Sequence, residues 1–147
     1  MMVAEESYLA NAIRFAMDAT RVHDWPDPSG YTTHLTNVGQ ELGHETVKLL
    51  RTTGPGEFLK RFSAFWTSNG LGEMSITHGE PLIVEIRRCY DCSSPKVGPR
   101  HAPCGFKRVF LRTVFEDVFN HQVSVTEREC CRSLARRCRF DVASKSF

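Results

Sequence analysis

Residues 73–90 read EMSITHGEPLIVEIRRCY, and along this stretch the spacing of apolar side chains changes. Apolar and polar residues alternate over two short runs, with HGEP as the break between them. Alternation with a period of two places successive side chains on opposite faces of a strand. The stretch therefore predicts two antiparallel strands, at about 72–78 and 81–89.

Upstream the period is helical. Tyr8, Leu9, Ala12, Ile13, Ala16 and Met17 predict a helix over 5–19. HDWPDPSGY then reads as a loop, in which Trp25 is a candidate anchor. Leu35, Val38, Leu42, Leu49 and Leu50 share one side of a helix over 34–51, which TTGPGE ends. A third helix, 56–68, presents Phe58, Leu59, Phe62, Phe65 and Trp66. Downstream, DCSSPKVGPRHAP is a long loop, and CGFKRVFLRTVFEDVFN predicts a helix over 104–120. Its apolar residues cover more than one face, so it should be the central, most buried helix. HQVSVTE and CRFDVAS alternate again and give two more strands. The order predicts an α+β domain, helices packed on a mostly antiparallel sheet of four to five strands.

The 147 residues suit a single domain, 1–147, with an N-terminal helix and loop at 1–33 and a core at 34–143. A chain this long can bury a core without disulfide staples. Charged residues make up 24% and the net charge is +2, too small to imply nucleic-acid binding. Arg132, Arg136, Arg137 and Arg139 do cluster, and such a run reads first as solvated surface. The acidic, amphipathic start does not resemble a secretory signal, and no apolar run reaches the roughly 20 residues of a membrane span. These features lead us to expect a cytoplasmic protein, where clustered cysteines more often bind metal than form structural disulfides.

The cysteines are Cys89, Cys92, Cys104, Cys130, Cys131 and Cys138. Cys89 and Cys92 form a C-x-x-C at the end of a strand. A redox site would prefer a helix N-terminus, which lowers a thiol pKa. A strand end and the following loop can bring Glu127 and Cys130 to one point, and the return of the chain brings Cys138 beside them. Cys104 opens the central helix. Three thiolates and a carboxylate satisfy tetrahedral zinc and leave no open position for water. The other arrangement takes Cys89 and Cys92 with Cys130 and Cys138. In an extended segment Cys131 points away from Cys130 and would not share its ion. Burial as ordinary small apolar residues is the remaining reading of these cysteines.

The C-terminal pattern resembles the 4-vinyl reductase (4VR) domain family, whose fold is shared with aromatic-compound sensor domains and with vesicle-tethering transport-particle subunits. The residues that carry the resemblance are APCGF, the helix after it, VSVTEREC and CRF, spaced 23, 3 and 8 residues between Cys104, Glu127, Cys130 and Cys138. NVGQELGHETVKLL and FWTSNGLGEMSI match more loosely. The resemblance spans about 34–143 and implies zinc on Cys104, Glu127, Cys130 and Cys138. Where relatives carry glycines, this chain has Val109, Leu111, Val114, Phe115 and Leu134, bulk that would shrink or close a pocket.

Two functions follow from this reading. One is a zinc-stabilised sensor or carrier for a hydrophobic or aromatic small molecule, a tetrapyrrole included. Its candidate ligand-binding residues are Phe58, Phe62, Phe65, Trp66, Phe106 and Phe110, with His78, His101 and His121 as polar contacts. The other is a dimeric scaffold, or an accessory protein of chlorophyll-type biosynthesis. A homodimer is expected, without nucleic acid. No nucleotide loop, H-E-x-x-H or G-x-S-x-G is found, so no catalytic residue is assigned.

Overall fold

The structure is a computed structural model that describes residues 3–20, 28–51, 54–92, 105–131 and 136–145. Its elements run α1 (Val3–Thr20), α2 (Pro28–Leu50), α3 (Pro55–Ser68), β1 (Glu73–Thr77), β2 (Leu82–Arg87), α4 (Gly105–Phe119), β3 (Val123–Glu129) and β4 (Arg137–Ser144). Trp25 and most of the loop expected at 91–103 lie outside the described residues. Helix α2 starts at Pro28, six residues before the predicted start. Pro fits the first helical turn, where its missing N–H has no partner to lose.

The four strands form one antiparallel sheet in the order β1-β2-β4-β3. The change of period at residue 73 thus marks the passage from helices to sheet. HGEP closes the β1–β2 hairpin, with a cis Glu80–Pro81 peptide. Met74, Val84, Ile86, Cys138, Phe140 and Val142 point to one face and are buried. The other face is polar. There Arg137 bridges Glu85 and Glu129, and Asp141 meets Arg128 and Arg139. Arg137 and Arg139 of the late arginine cluster are therefore tied into ion pairs on the open face of the sheet.

Helix α4 is the buried helix its composition predicts: Phe106, Phe110, Leu111, Val114 and Phe115 are all inaccessible. It packs against α2 through glycines on α2. A Cβ on Gly39 would stand 2.7 Å from Val109 Cγ1, and one on Gly43 would stand 2.8 Å from Thr113 Cβ. Val109 and Thr113 of α4 therefore have small partners on the neighbouring helix. Helix α1 buries Leu9, Ala10, Ile13, Ala16 and Met17. Its other side shows Tyr8 and Phe15, 78% and 76% exposed.

A thiol cluster as candidate metal centre

The sheet brings the cysteines together at one end. Cys138 lies on β4 directly opposite Ile86 of β2, on the buried face. Just past β2 the backbone turns through Arg88, whose φ is 53°, a left-handed value uncommon for a residue with a Cβ. That turn delivers CYDC under the sheet. Tyr90 fixes it, donating its N–H to Leu71 O at 3.0 Å and its hydroxyl to Asp18 of α1 at 3.0 Å. On the other side, β3 carries a bulge between Glu127 and Glu129 and then turns at Cys131.

The sulfurs of Cys89, Cys92, Cys131 and Cys138 all lie within 4.8 Å of one another. Cys138 Sγ is 3.3 Å from Cys89 Sγ and 3.5 Å from Cys92 Sγ, and Cys131 Sγ is 3.2 Å from Cys89 Sγ. Cys130 Sγ stands 3.9 Å from Cys92 Sγ. Tetrahedral zinc with bonds of about 2.3 Å sets sulfurs about 3.8 Å apart, so the cluster needs only small shifts to accept such an ion. The five described cysteines form no disulfide.

Two charged groups are buried beside the sulfurs. Lys107, on the first turn of α4, is 1% exposed, and its Nζ donates to Asp91 Oδ1 at 2.6 Å. The same Nζ is 3.5 Å from Cys92 Sγ and 3.6 Å from Cys138 Sγ. Burial pushes the Asp91 carboxyl above its ordinary value, and Lys107 opposes that rise. Hydrogen bonding of the Cys89 thiol with Cys138, to which it donates, and with Cys92, and then burial, push that thiol up, while burial does the same for Cys131. Without a metal ion these two groups therefore favour the thiol form. A bound divalent metal reverses this, because a coordinating thiol gives up its proton.

The predicted ligands fall into different places. Cys138 sits at the centre of the cluster and Cys130 at its margin. Glu127 is half-buried on β3, paired with Phe140, and is not among the four grouped ligands. Cys104 and His101 lie outside the described residues. Cys131 differs from expectation for a physical reason. The bulge and turn end the extended geometry on which its outward direction was argued, and its sulfur swings inward. Lys107 and Asp91 were not singled out from the sequence. The signal was there for Lys107, which shares a helical stripe with Leu111 and Val114.

The six candidate ligand-binding aromatics are buried, and five of them, Phe58, Phe62, Trp66, Phe106 and Phe110, form a chain of ring contacts. Ring centroids are 5.8 Å apart for Phe58–Phe62, 5.6 Å for Trp66–Phe110 and 5.7 Å for Phe106–Phe110, and Phe65 is buried on the same helix as Trp66. The indole N–H of Trp66 is buried with no hydrogen-bond partner among the described residues. Phe58 also borders a hollow of about 330 Å³ with Val47, Arg51, Pro55, Asp117 and Val118. His78 and His121 border another, of about 230 Å³, with Glu80, Leu82 and Phe119.

No protein-family model matches the chain, and no curated protein matches it either. Solved structures do match. The phenol-responsive sensory domain of the transcription activator PoxR, solved with phenol, superposes with a TM-score of 0.66 at 12% identity, over 95% of this chain and 74% of that one. A vinyl-4-reductase family protein from Methanocaldococcus jannaschii gives 0.55 at 18% identity, over 76% of this chain and 68% of that one. Trafficking protein particle complex subunit 3 from Naegleria fowleri, covalently bound to palmitic acid, gives 0.55 at 11% identity, over 98% and 97%. The likeness expected from the C-terminal motif therefore holds for the fold, which this chain shares with a vinyl-4-reductase family protein, a phenol-sensing domain and a trafficking-complex subunit.

Proposed function

We propose that this chain is a small-molecule-binding module, a sensor or carrier for a hydrophobic or aromatic ligand, closed at one end by a thiolate-bound zinc ion. The observation that carries the metal half is the approach of four cysteine sulfurs to within 4.8 Å of one another. Soft thiolates select zinc and other thiophilic ions over magnesium or calcium. Four thiolates leave no position for water, so the ion is structural and contributes folding energy.

Geometry favours Cys89, Cys92, Cys131 and Cys138 as ligands. The set Cys104, Glu127, Cys130 and Cys138, implied by the resemblance, is the competing assignment. A cytoplasmic setting agrees with the lack of a disulfide among the described cysteines. The ligand half is supported by the aromatic cluster and by the Trp66 N–H inside it. A buried donor without an acceptor marks a place for a polar atom of a ligand or a water. A phenol-like molecule, with one flat apolar ring and one oxygen, suits that pairing. A tetrapyrrole fits less well, because the hollow beside His78 and His121 falls below the roughly 300–1,000 Å³ of ordinary ligand pockets.

A second reading, a homodimeric scaffold, is favoured by two observations. Phe110 and Leu111 are sealed from solvent, and Tyr8 with Phe15 stands open on α1. The deciding experiment is elemental analysis of protein purified without added metal, with its absorbance spectrum and its mass in solution. One zinc per chain and no colour support the metal-stapled module. No metal at all sinks it. A visible band makes the ligand a pigment, and a stable dimer that takes up no phenolic compound favours the scaffold.

A further inference from the structure

We infer that Lys107 belongs to the metal centre, with its ammonium donating N–H···S hydrogen bonds to the sulfurs of Cys92 and Cys138 and Asp91 as the positioning residue that aims it. The inference rests on the proposed metal site. A lysine is almost never fully buried unless it is paired, yet Lys107 is 1% exposed. An ammonium taken out of water must place its three hydrogens on acceptors. Asp91 Oδ1 at 2.6 Å, Cys92 Sγ at 3.5 Å and Cys138 Sγ at 3.6 Å can take all three.

The helix offers no reason for this cation. Lys107 lies in the first turn of α4, where the helix dipole disfavours positive charge. A carboxylate alone would satisfy it at the surface. What the surroundings add is sulfur. Four thiolates around a divalent ion carry a net charge of about −2, which a buried site must offset. An ammonium touching two of the four sulfurs draws charge off them. It strengthens metal retention and makes the sulfurs poorer nucleophiles. Groups that touch metal ligands in this way typically change affinity about 10- to 100-fold when removed.

The test compares the full chain with Lys107→Met, which keeps the length and loses the donor, and Lys107→Arg, which keeps donors and charge. Two quantities are read on each: zinc affinity by competition with a chromophoric chelator, and the rate at which iodoacetamide alkylates the zinc-loaded thiolates. The expected result for Lys107→Met is affinity about 10- to 100-fold weaker with faster alkylation, and partial recovery of both in Lys107→Arg. Affinity and alkylation unchanged in a folded Lys107→Met would overturn the inference. Should that variant not fold, the wild-type chain loaded with cadmium-113 decides. Scalar coupling between the Lys107 ammonium protons and the metal through sulfur supports the bond, and its absence with metal bound removes it. Failure of the wild-type chain to take up any metal is a different result, because it removes the metal site itself.

Discussion

Cys130 and Cys131 are neighbours in sequence, and one peptide unit decides which sulfur reaches the centre of the cluster. In the structure Cys131 Sγ touches Cys89 Sγ at 3.2 Å, while Cys130 Sγ stands 3.9 Å from Cys92 Sγ. Cys131→Ala should therefore release the metal and Cys130→Ala should retain it, as read by zinc per chain after dialysis. The reverse pattern would favour the ligand set that includes Cys104 and Glu127. Cys138 is common to both sets and is fully buried between Cys89, Cys92 and the Cys131 N–H. Cys138→Ala should abolish metal uptake and with it stabilisation on the order of 10 kcal/mol, comparable to the whole stability of a domain. In metal-stripped protein the same change should cost only about 1–2 kcal/mol, the loss of a small buried group. A thermal melt of wild type and variant, each with and without chelator, separates the two costs. Equal costs in both conditions would mean that Cys138 serves packing alone.

At the scale of elements, the chain was legible because each element states its own period. The alternation from Met74 to Ile86 and the helical runs before it locate strands and helices to within a few residues, since one buried face requires one spacing. Departures occur where a local device interrupts the period. Pro28 starts α2 early, and the bulge after Glu127 turns Cys131 inward. Lys107 was missed because a charged residue reads as exposed unless its stripe partners, Leu111 and Val114, are counted with it. The sequence also showed bulk on α4 at Val109, but not where that bulk would go. The structure answers with Gly39 and Gly43 on α2. Gly43→Ala tests this contact. Alanine gains about 1 kcal/mol of helix propensity. Its Cβ would meet Thr113 Cβ at 2.8 Å and the Phe110 carbonyl at 3.2 Å, and a backbone atom cannot swing aside. Overpacking of this kind costs about 1–3 kcal/mol, so the net effect should be destabilising in a urea titration. A gain in stability would show that α2 and α4 have room to part.

At the scale of the whole molecule, the thiol cluster lies where β2, β3, β4 and the start of α4 converge, so its charge state acts on the stability of the entire domain. The sign depends on the metal. In stripped protein the Cys89 thiol is pushed up, by its hydrogen bonds with Cys138 and Cys92 first and then by burial, whereas an unfolded thiol ionises near about 8.5. Above that value the unfolded chain binds fewer protons than the folded one, so stability falls as pH rises. Loaded protein behaves in the opposite sense. Its ligands are already thiolates when folded, the unfolded chain takes protons up as pH falls below about 8.5, and stability is lost toward acid. The two forms should therefore differ little near about pH 5 and diverge progressively toward about pH 9. Urea midpoints measured across that range, with zinc and with chelator, give the difference directly. A gap that stays constant with pH would mean the ion is held by groups that do not exchange protons in this range, and the carboxylate side chains would replace the thiols as the ligands to examine.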